Sequence, residues 1–149
     1  MSLRILMIDD SSEEELLMRH ALEQSGDGAS LLAVRDVPSG VRYLRGKGQF
    51  QDRGKFPLPD VILCDLKMDG EMAGFDFLRW RRQHSGCVLI PTIIYSSSGD
   101  ERDVEQSYEL GANAYIEKPT TLERAAMVIE TTCRFWSLCK RPSMKENFR

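Results

Sequence analysis

LRILMIDD, residues 3–10, sets the pattern of the chain: an apolar run that stops at acidic residues. The form recurs. VILC at 61–64 stops at Asp65, IPTIIY at 90–95 stops at Ser96, and NAYIE at 113–117 stops at Lys118. Short, continuous apolar runs read as strands covered on both faces. If they lie parallel, their polar ends converge on one carboxyl-terminal edge, where open α/β sheets place ligand sites. Acids to hold a cation, a lone carboxylate beside them, and a hydroxyl and an ammonium opposite have the makings of a phosphoryl-transfer site.

Helical patterns separate the runs. Ser11 or Ser12 caps a first helix with Glu13, Glu14 and Glu15 in its first turn, where the dipole favours anions. Leu17, Ala21 and Leu22 keep helical spacing, and Gly26 is a natural stop. Ala29 to Val34 predicts the second strand, followed by a short helix from Ser39 to about Leu44. RGKGQFQDRGKFPLP, residues 45–59, is rich in glycine, proline and charge and predicts an extended surface loop. Phe75 to Gln83 predicts a helix with Arg79, Arg81 and Arg82 on its wet side. Ile90 to Tyr95 is the fourth strand, with Pro91 tolerable near its start. Asp100 to Leu110 is a helix ended by Gly111, and Ala114 to Glu117 a fifth strand. Pro119 stops that strand, and Thr120 or Thr121 caps the last helix. Strand and helix in alternation imply an α/β fold, a doubly wound parallel sheet with helices on both faces.

Composition excludes several classes. A chain of 149 residues, 42% hydrophobic, suits one domain with one core. A net charge of -3 offers nucleic acid no attraction, and no apolar stretch is long enough to cross a membrane. No signal-peptide core precedes Asp9 and Asp10. Cys64, Cys87, Cys133 and Cys139 have neither C-x-x-C spacing nor paired histidines nearby, so reduced thiols in a cytoplasmic protein are expected.

Each polar ending is ordinary by itself. Asp-Asp-Ser-Ser after a strand is common turn and cap chemistry, and Lys118-Pro119 alone is a solvated lysine before a turn. The combination is not ordinary. Asp65 and Ser96 stand 31 positions apart, Ser96 and Lys118 22 positions apart, and the last strand ends Tyr-x-x-Lys-Pro. With ILMIDDS, DVILCDLKM, PTIIYSSS and GANAYIEKPTTL, the chain closely resembles, from about Leu3 to Cys133, the receiver domain of two-component response regulators. The long segment before the third strand and the aromatic ending (Phe135, Trp136) resemble the small stand-alone regulators paired with phytochrome-type histidine kinases.

The resemblance implies a flavodoxin-like sheet of five strands in the order 2-1-3-4-5, and a role for each matched residue. Asp65 would be the phosphoacceptor for a phosphohistidine of a sensor histidine kinase or phosphotransfer protein. Asp10, Asp65 and the backbone carbonyl of Lys67 would ligate Mg²⁺, and Asp9 would hold a metal-bound water. Lys118 would supply a charge and Ser96 a hydrogen bond to phosphoryl oxygens. Tyr115 would turn inward behind Ser96 as a switch, against the alternative of a plain half-buried strand aromatic. The protein would catalyse only its own phosphoryl transfer and dephosphorylation. Lys67 and Ser98, each two past a key residue, would set the lifetime of the signal, Lys67 by screening the phosphoryl from water.

Three positions depart from the family's pattern. Asp69 stands where proline is usual. The acid-glycine pair that opens the third helix is Ala73-Gly74, one residue late, unless Asp69-Gly70 is that pair displaced. Ser96 replaces the commoner threonine.

Leu122, Ala125, Ala126, Ile129, Cys133 and Trp136 keep helical spacing well past the usual end of a receiver, with Pro142 the latest stop. A receiver domain over 1–141 and a tail over 142–149 leave no room for an output domain, so output through protein contact is expected. The stripe near Cys133 and Trp136 should leave apolar surface for a homodimer or an unknown downstream protein, or the tail folds back on it. Arg134, Lys140, Arg141, Lys145 and Arg149 make a basic, solvated tail. The competing class is a pseudo-receiver, a binding module of the same fold that is never phosphorylated. A phosphatase using Asp65 would want an acid at position 67, where lysine stands, and an FMN carrier would want a phosphate-binding loop after the first strand.

Overall fold

The apolar runs do become strands, and all of them pair in parallel. The structure, a computed structural model, describes residues 2–26 and 28–142. β1 (Arg4–Ile8), β2 (Ser30–Val34), β3 (Val61–Cys64), β4 (Thr92–Ser96) and β5 (Ala114–Glu117) form one sheet in the order β2-β1-β3-β4-β5. α1 (Ser12–Ser25), α2 (Val37–Arg45), α3 (Ala73–Arg82), α4 (Glu101–Glu109) and α5 (Leu122–Leu138) alternate with them. Right-handed crossovers carry the helices to opposite faces. α1 and α5 cover Ile5, Met7, Leu63, Ile93 and Tyr95. On the other face, the core built from α2 and α3 covers Leu6, Ile8, Ile62, Cys64 and Ile94. Two-sided burial is why β3 and β4 are apolar without alternation.

Caps move several boundaries. Ser11 is the first N-cap, its hydroxyl accepting from Glu14 N–H, and Gly26 ends α1 at φ 68°. α2 starts two residues before Ser39 because the Asp36 carboxylate accepts from Ser39 N–H at 2.7 Å and Pro38 suits a first turn. Asp100 caps α4 and Thr121 caps α5. β4 starts at Thr92 rather than Ile90, since Cys87–Leu89 winds into a 3-10 turn and Pro91 has no N–H to give the sheet.

Three expectations are corrected. Residues 45–59 form a surface loop, but a compact one rather than an extended one. Gly48–Phe50 forms a 3-10 turn, and buried Phe50 packs against Tyr43 and Phe56 at ring distances of 5.0 and 5.2 Å. The Arg53 guanidinium donates to the Tyr43 and Leu44 carbonyls at 2.8 and 2.7 Å, satisfying the C-terminus of α2.

Arg81 is not on the wet side of α3; it is 2% exposed, while Arg79 and Arg82 face solvent. Its position shares a helix face with Gly74, Phe77 and Leu78. The charge is tolerated because carbonyl oxygens surround it: Gly111 at 2.9 Å, Val88 at 3.0 Å, Ile90 at 2.9 Å and the Asn113 side chain at 3.1 Å.

The third correction concerns α5. Cys133 is buried and Trp136 half-buried against the sheet, so the uncovered apolar groups are Phe135 and Leu138, with Leu122 and Met127 farther up the helix. Arg141 is no solvated tail residue; it donates to the Trp136 carbonyl and pairs with Asp60 at 3.8 Å. Lys145, Arg149 and all of the expected tail beyond Pro142 lie outside the described residues. No disulfide joins the four cysteines. No helix among the described residues is long and apolar enough to cross a membrane.

Replacing Arg81 strips several buried carbonyls of their donor at once. Arg81→Leu is expected to cost about 3 kcal/mol or more in urea unfolding; a loss under about 1 kcal/mol would show that those carbonyls find other donors.

Candidate functional site

Strand register delivers the polar endings to one place. Past the end of β1, Asp9 N–H donates to the Val34 carbonyl at 3.0 Å, and past β3, Asp65 N–H donates to the Ile8 carbonyl at 2.9 Å. Lys118, one past β5, donates its N–H to the Ser96 carbonyl at 2.7 Å. These ladder bonds set three side chains at the carboxyl-terminal edge with little freedom.

The side chains meet directly. Lys118 Nζ donates to Asp9 Oδ2 at 2.8 Å and to Asp65 Oδ2 at 3.0 Å. The ammonium is 10% exposed, Asp9 3% and Asp65 10%. Each carboxylate also takes a main-chain donor: Ser11 N–H reaches Asp9 Oδ1 at 2.9 Å and Leu66 N–H reaches Asp65 Oδ1 at 2.8 Å. Asp10 is exposed, and its Oδ2 accepts from Asp69 N–H at 2.9 Å. One oxygen from each of Asp9, Asp10 and Asp65 lies within 4.8 Å of the others.

Electrostatics follow from this crowding. Burial raises the Asp65 carboxyl above its ordinary value; Lys118 opposes that rise and Asp9 adds to it. Burial alone would lower Lys118, yet the Asp9 hydrogen bond and the Asp65 charge hold its proton, and its pKa is raised. Three acids facing one lysine leave negative charge to neutralise. An all-oxygen set of this kind suits a hard divalent cation, so the residues present fit the metal that the resemblance implies.

Ser96 lies at the end of β4, 2% exposed, and its hydroxyl accepts from Ser98 N–H at 3.2 Å. The Ser98 carbonyl accepts from Tyr115 O–H at 2.7 Å, and the Ser98 hydroxyl donates to Asp103 at 2.6 Å. One loop residue therefore joins the candidate hydroxyl, the candidate aromatic and α4. Lys67 lies in the loop after β3 with its side chain exposed.

The departures after Asp65 resolve in favour of Ala73-Gly74. A Cβ on Gly74 would stand 2.3 Å from the Asp65 carbonyl oxygen and 2.7 Å from Leu66 Cα, so only glycine lets α3 start there. Asp69-Gly70 is instead a turn, with φ of 51° and 78°.

Sequence reasoning missed two neighbours. Glu14 faces the cluster: burial raises its carboxyl, Lys118 pulls it back, and Asp9 and Asp65 push it further up. The Ser11-x-x-Glu14 spacing of a capping box was the available signal, overshadowed by a first turn that is acidic throughout. Tyr95 is the other, with Lys118 Nζ 5.7 Å from its ring centroid. Burial, with Glu14 beside it, pushes the Tyr95 hydroxyl up to about 12. Nothing in an apolar strand distinguished it.

Comparison with known proteins agrees with this geometry. Residues 5–130 match the family described as response regulator receiver domain. The chain is 28% identical over 132 residues to response regulator Rcp1 of Synechocystis sp., covering 89% of this chain and 87% of that protein. It is similar to the crystal structure of the phosphorylated cyanobacterial phytochrome response regulator RcpA, with TM-score 0.86, 27% identity, and coverage of 96% of this chain and 100% of that one. The Mn²⁺-bound form of Rcp1 superposes with TM-score 0.82 and 27% identity, over 95% of this chain and 99% of that one. With the match running through every strand and both halves of the acidic edge, the chain belongs to the response regulator receiver domain family.

Proposed function

We propose that this protein is a cytoplasmic phosphoryl-accepting switch, in which Asp65 takes a phosphoryl group from a histidine of a sensor kinase or phosphotransfer protein. The observation that carries the reading is the Lys118 ammonium shared between Asp9 and Asp65 at a nearly dry sheet edge. Such a clamp already holds the positive charge that a phosphoryl on Asp65 needs. The stand-alone relatives support a kinase of phytochrome type as the donor, since one is a phosphorylated phytochrome response regulator.

In the step itself, an Asp65 carboxylate oxygen bonds to phosphorus while the phosphorus–nitrogen bond breaks and its electron pair returns to the imidazole. Leu66 N–H holds the carboxylate in place from its other side. Lys118 moves its hydrogen bond from Asp65 to a phosphoryl oxygen, and the Ser96 hydroxyl donates to another. Positioning and charge neutralisation are all that such a transfer requires of the protein. Asp10, Asp65 and the Lys67 carbonyl would hold Mg²⁺, which would supply positive charge against the clustered acids and the incoming group. Asp9, which the resemblance gives the role of holding a metal-bound water, also accepts from Ser11 N–H and from Lys118.

Output would run through Ser96. If its hydroxyl turns toward the phosphoryl it releases Ser98 N–H, and Ser98 holds both Tyr115 and α4. The surface of α4, β5 and α5 then reports the state of Asp65 to a downstream protein or a second copy. The complete acid, lysine and hydroxyl set gives the pseudo-receiver alternative no support.

Incubation with Mg²⁺ and a small phosphodonor is expected to add one phosphoryl by intact mass. Asp65→Asn, or omission of Mg²⁺, abolishes the gain; an unchanged gain in Asp65→Asn would move the acceptor elsewhere.

Folding raises the Asp65 carboxyl above its ordinary 3.8, so the charged form costs folding free energy at neutral pH and the cost fades as pH falls through the raised value. Asp65→Asn should therefore be more stable at pH 7 by about 1 kcal/mol, or ~3 °C in Tm, with the margin shrinking toward pH 4. A margin that grew on acidification would contradict the assignment.

Lys67, exposed in the loop two residues past Asp65, would shield the phosphoryl from water. Lys67→Asn is expected to shorten the lifetime of phosphorylated protein in a mass-based decay assay, and equal lifetimes would remove Lys67 from that role.

A further inference from the structure

The loop between β3 and α3 folds back on itself. Met68 N–H donates to the Glu71 carbonyl at 2.8 Å and Glu71 N–H returns the bond to Met68 at 3.0 Å. Asp69 and Gly70 make the corner, both left-handed, with φ of 51° and 78°. A type I′ two-residue hairpin turn requires this at both central positions, and Asp-Gly is among the pairs that supply it most readily. Asp69 is the one non-glycine with positive φ among the described residues. The turn aims its N–H at a residue 59 positions away, Asp10 Oδ2, at 2.9 Å.

We propose that Asp69 is a positioning residue for the divalent cation, acting through its backbone N–H on the Asp10 carboxylate. The proposal rests on the reading of Asp10 as a metal ligand. Asp10 is exposed, and an exposed aspartate is free to leave the ligating rotamer. A carboxylate that gives one oxygen to a cation keeps the other for a hydrogen bond, and a donor on that second oxygen fixes its direction. The N–H does this without adding charge and without entering the coordination sphere. Proline, usual in the family at this position, has no N–H and cannot reach φ 51°. The departure at 69 therefore replaces a residue unable to hold Asp10 with one that does, and the hairpin accounts for the later start of the third helix.

The test is Mg²⁺ titration by calorimetry on the full chain, with no phosphodonor present. Asp69→Asn and Asp69→Gly keep both the N–H and the left-handed turn, and are expected within about threefold of wild type. Asp69→Pro removes the donor and is expected to weaken Mg²⁺ by ~10-fold or more. Wild-type affinity in Asp69→Pro overturns the proposal. So does equal weakening in Asp69→Asn, which would assign the effect to the side-chain charge.

Should Asp69→Pro misfold, the wild-type amide decides. Asp69 N–H is expected to be protected from hydrogen exchange with and without Mg²⁺. Protection lost when Mg²⁺ binds would show the N–H competing with the cation, and would overturn the proposal. Asp10→Asn separates the two layers. If it leaves Mg²⁺ affinity unchanged, the ligand reading fails and takes this proposal with it. If it weakens Mg²⁺ while Asp69→Pro does not, only the positioning role falls.

Discussion

One ammonium group holds the functional edge together. Lys118 Nζ lies between Asp9 and Asp65, all three side chains at or below 10% exposure. Two carboxylates so close and so dry would repel each other strongly without it. The lysine must therefore come from a strand that ends level with both, which the ladder bond from Lys118 N–H to the Ser96 carbonyl ensures. Sheet order, register and the apolar runs that specify them all serve that alignment.

Most of this was legible in the sequence because the signals were local and repeated. An apolar run that ends on a polar residue marks both a strand and the place where its last side chain leaves the core. Five such strands in alternation with helices imply a parallel sheet covered on both faces, and the observed order β2-β1-β3-β4-β5 is the one that the family resemblance implied. The acids, Ser96 and Lys118 came out at one edge for the same reason.

What was illegible depended on contacts across the fold. Arg81 carries no sequence mark that separates it from Arg79 and Arg82; its burial is decided by the carbonyls of Gly111, Val88 and Ile90, brought from other segments. Residues 45–59 look like a solvated loop by composition, yet Phe50 and Phe56 find Tyr43 and make a small aromatic core. Glu14 is one acid of three in a row, and only the packing of α1 shows which faces Lys118. The choice between Asp69-Gly70 and Ala73-Gly74 needed the 2.3 Å that a Gly74 Cβ would leave to the Asp65 carbonyl.

The two edges of the sheet divide the charges between them. At the carboxyl-terminal edge carboxylates crowd, and Ser11 N–H at the cap of α1 and Leu66 N–H in the loop after β3 satisfy two of them. At the amino-terminal edge the helices end, leaving carbonyl oxygens that need donors. Three guanidiniums supply them: Arg53 to α2, Arg141 to α5, and Arg81 to the approaches of β4 and β5. Burial still raises the Asp65 carboxyl, so keeping that one carboxylate charged costs folding free energy at neutral pH. A sheet pinned by arginines at one end can carry that cost at the other, and a cation held among the acids would relieve it.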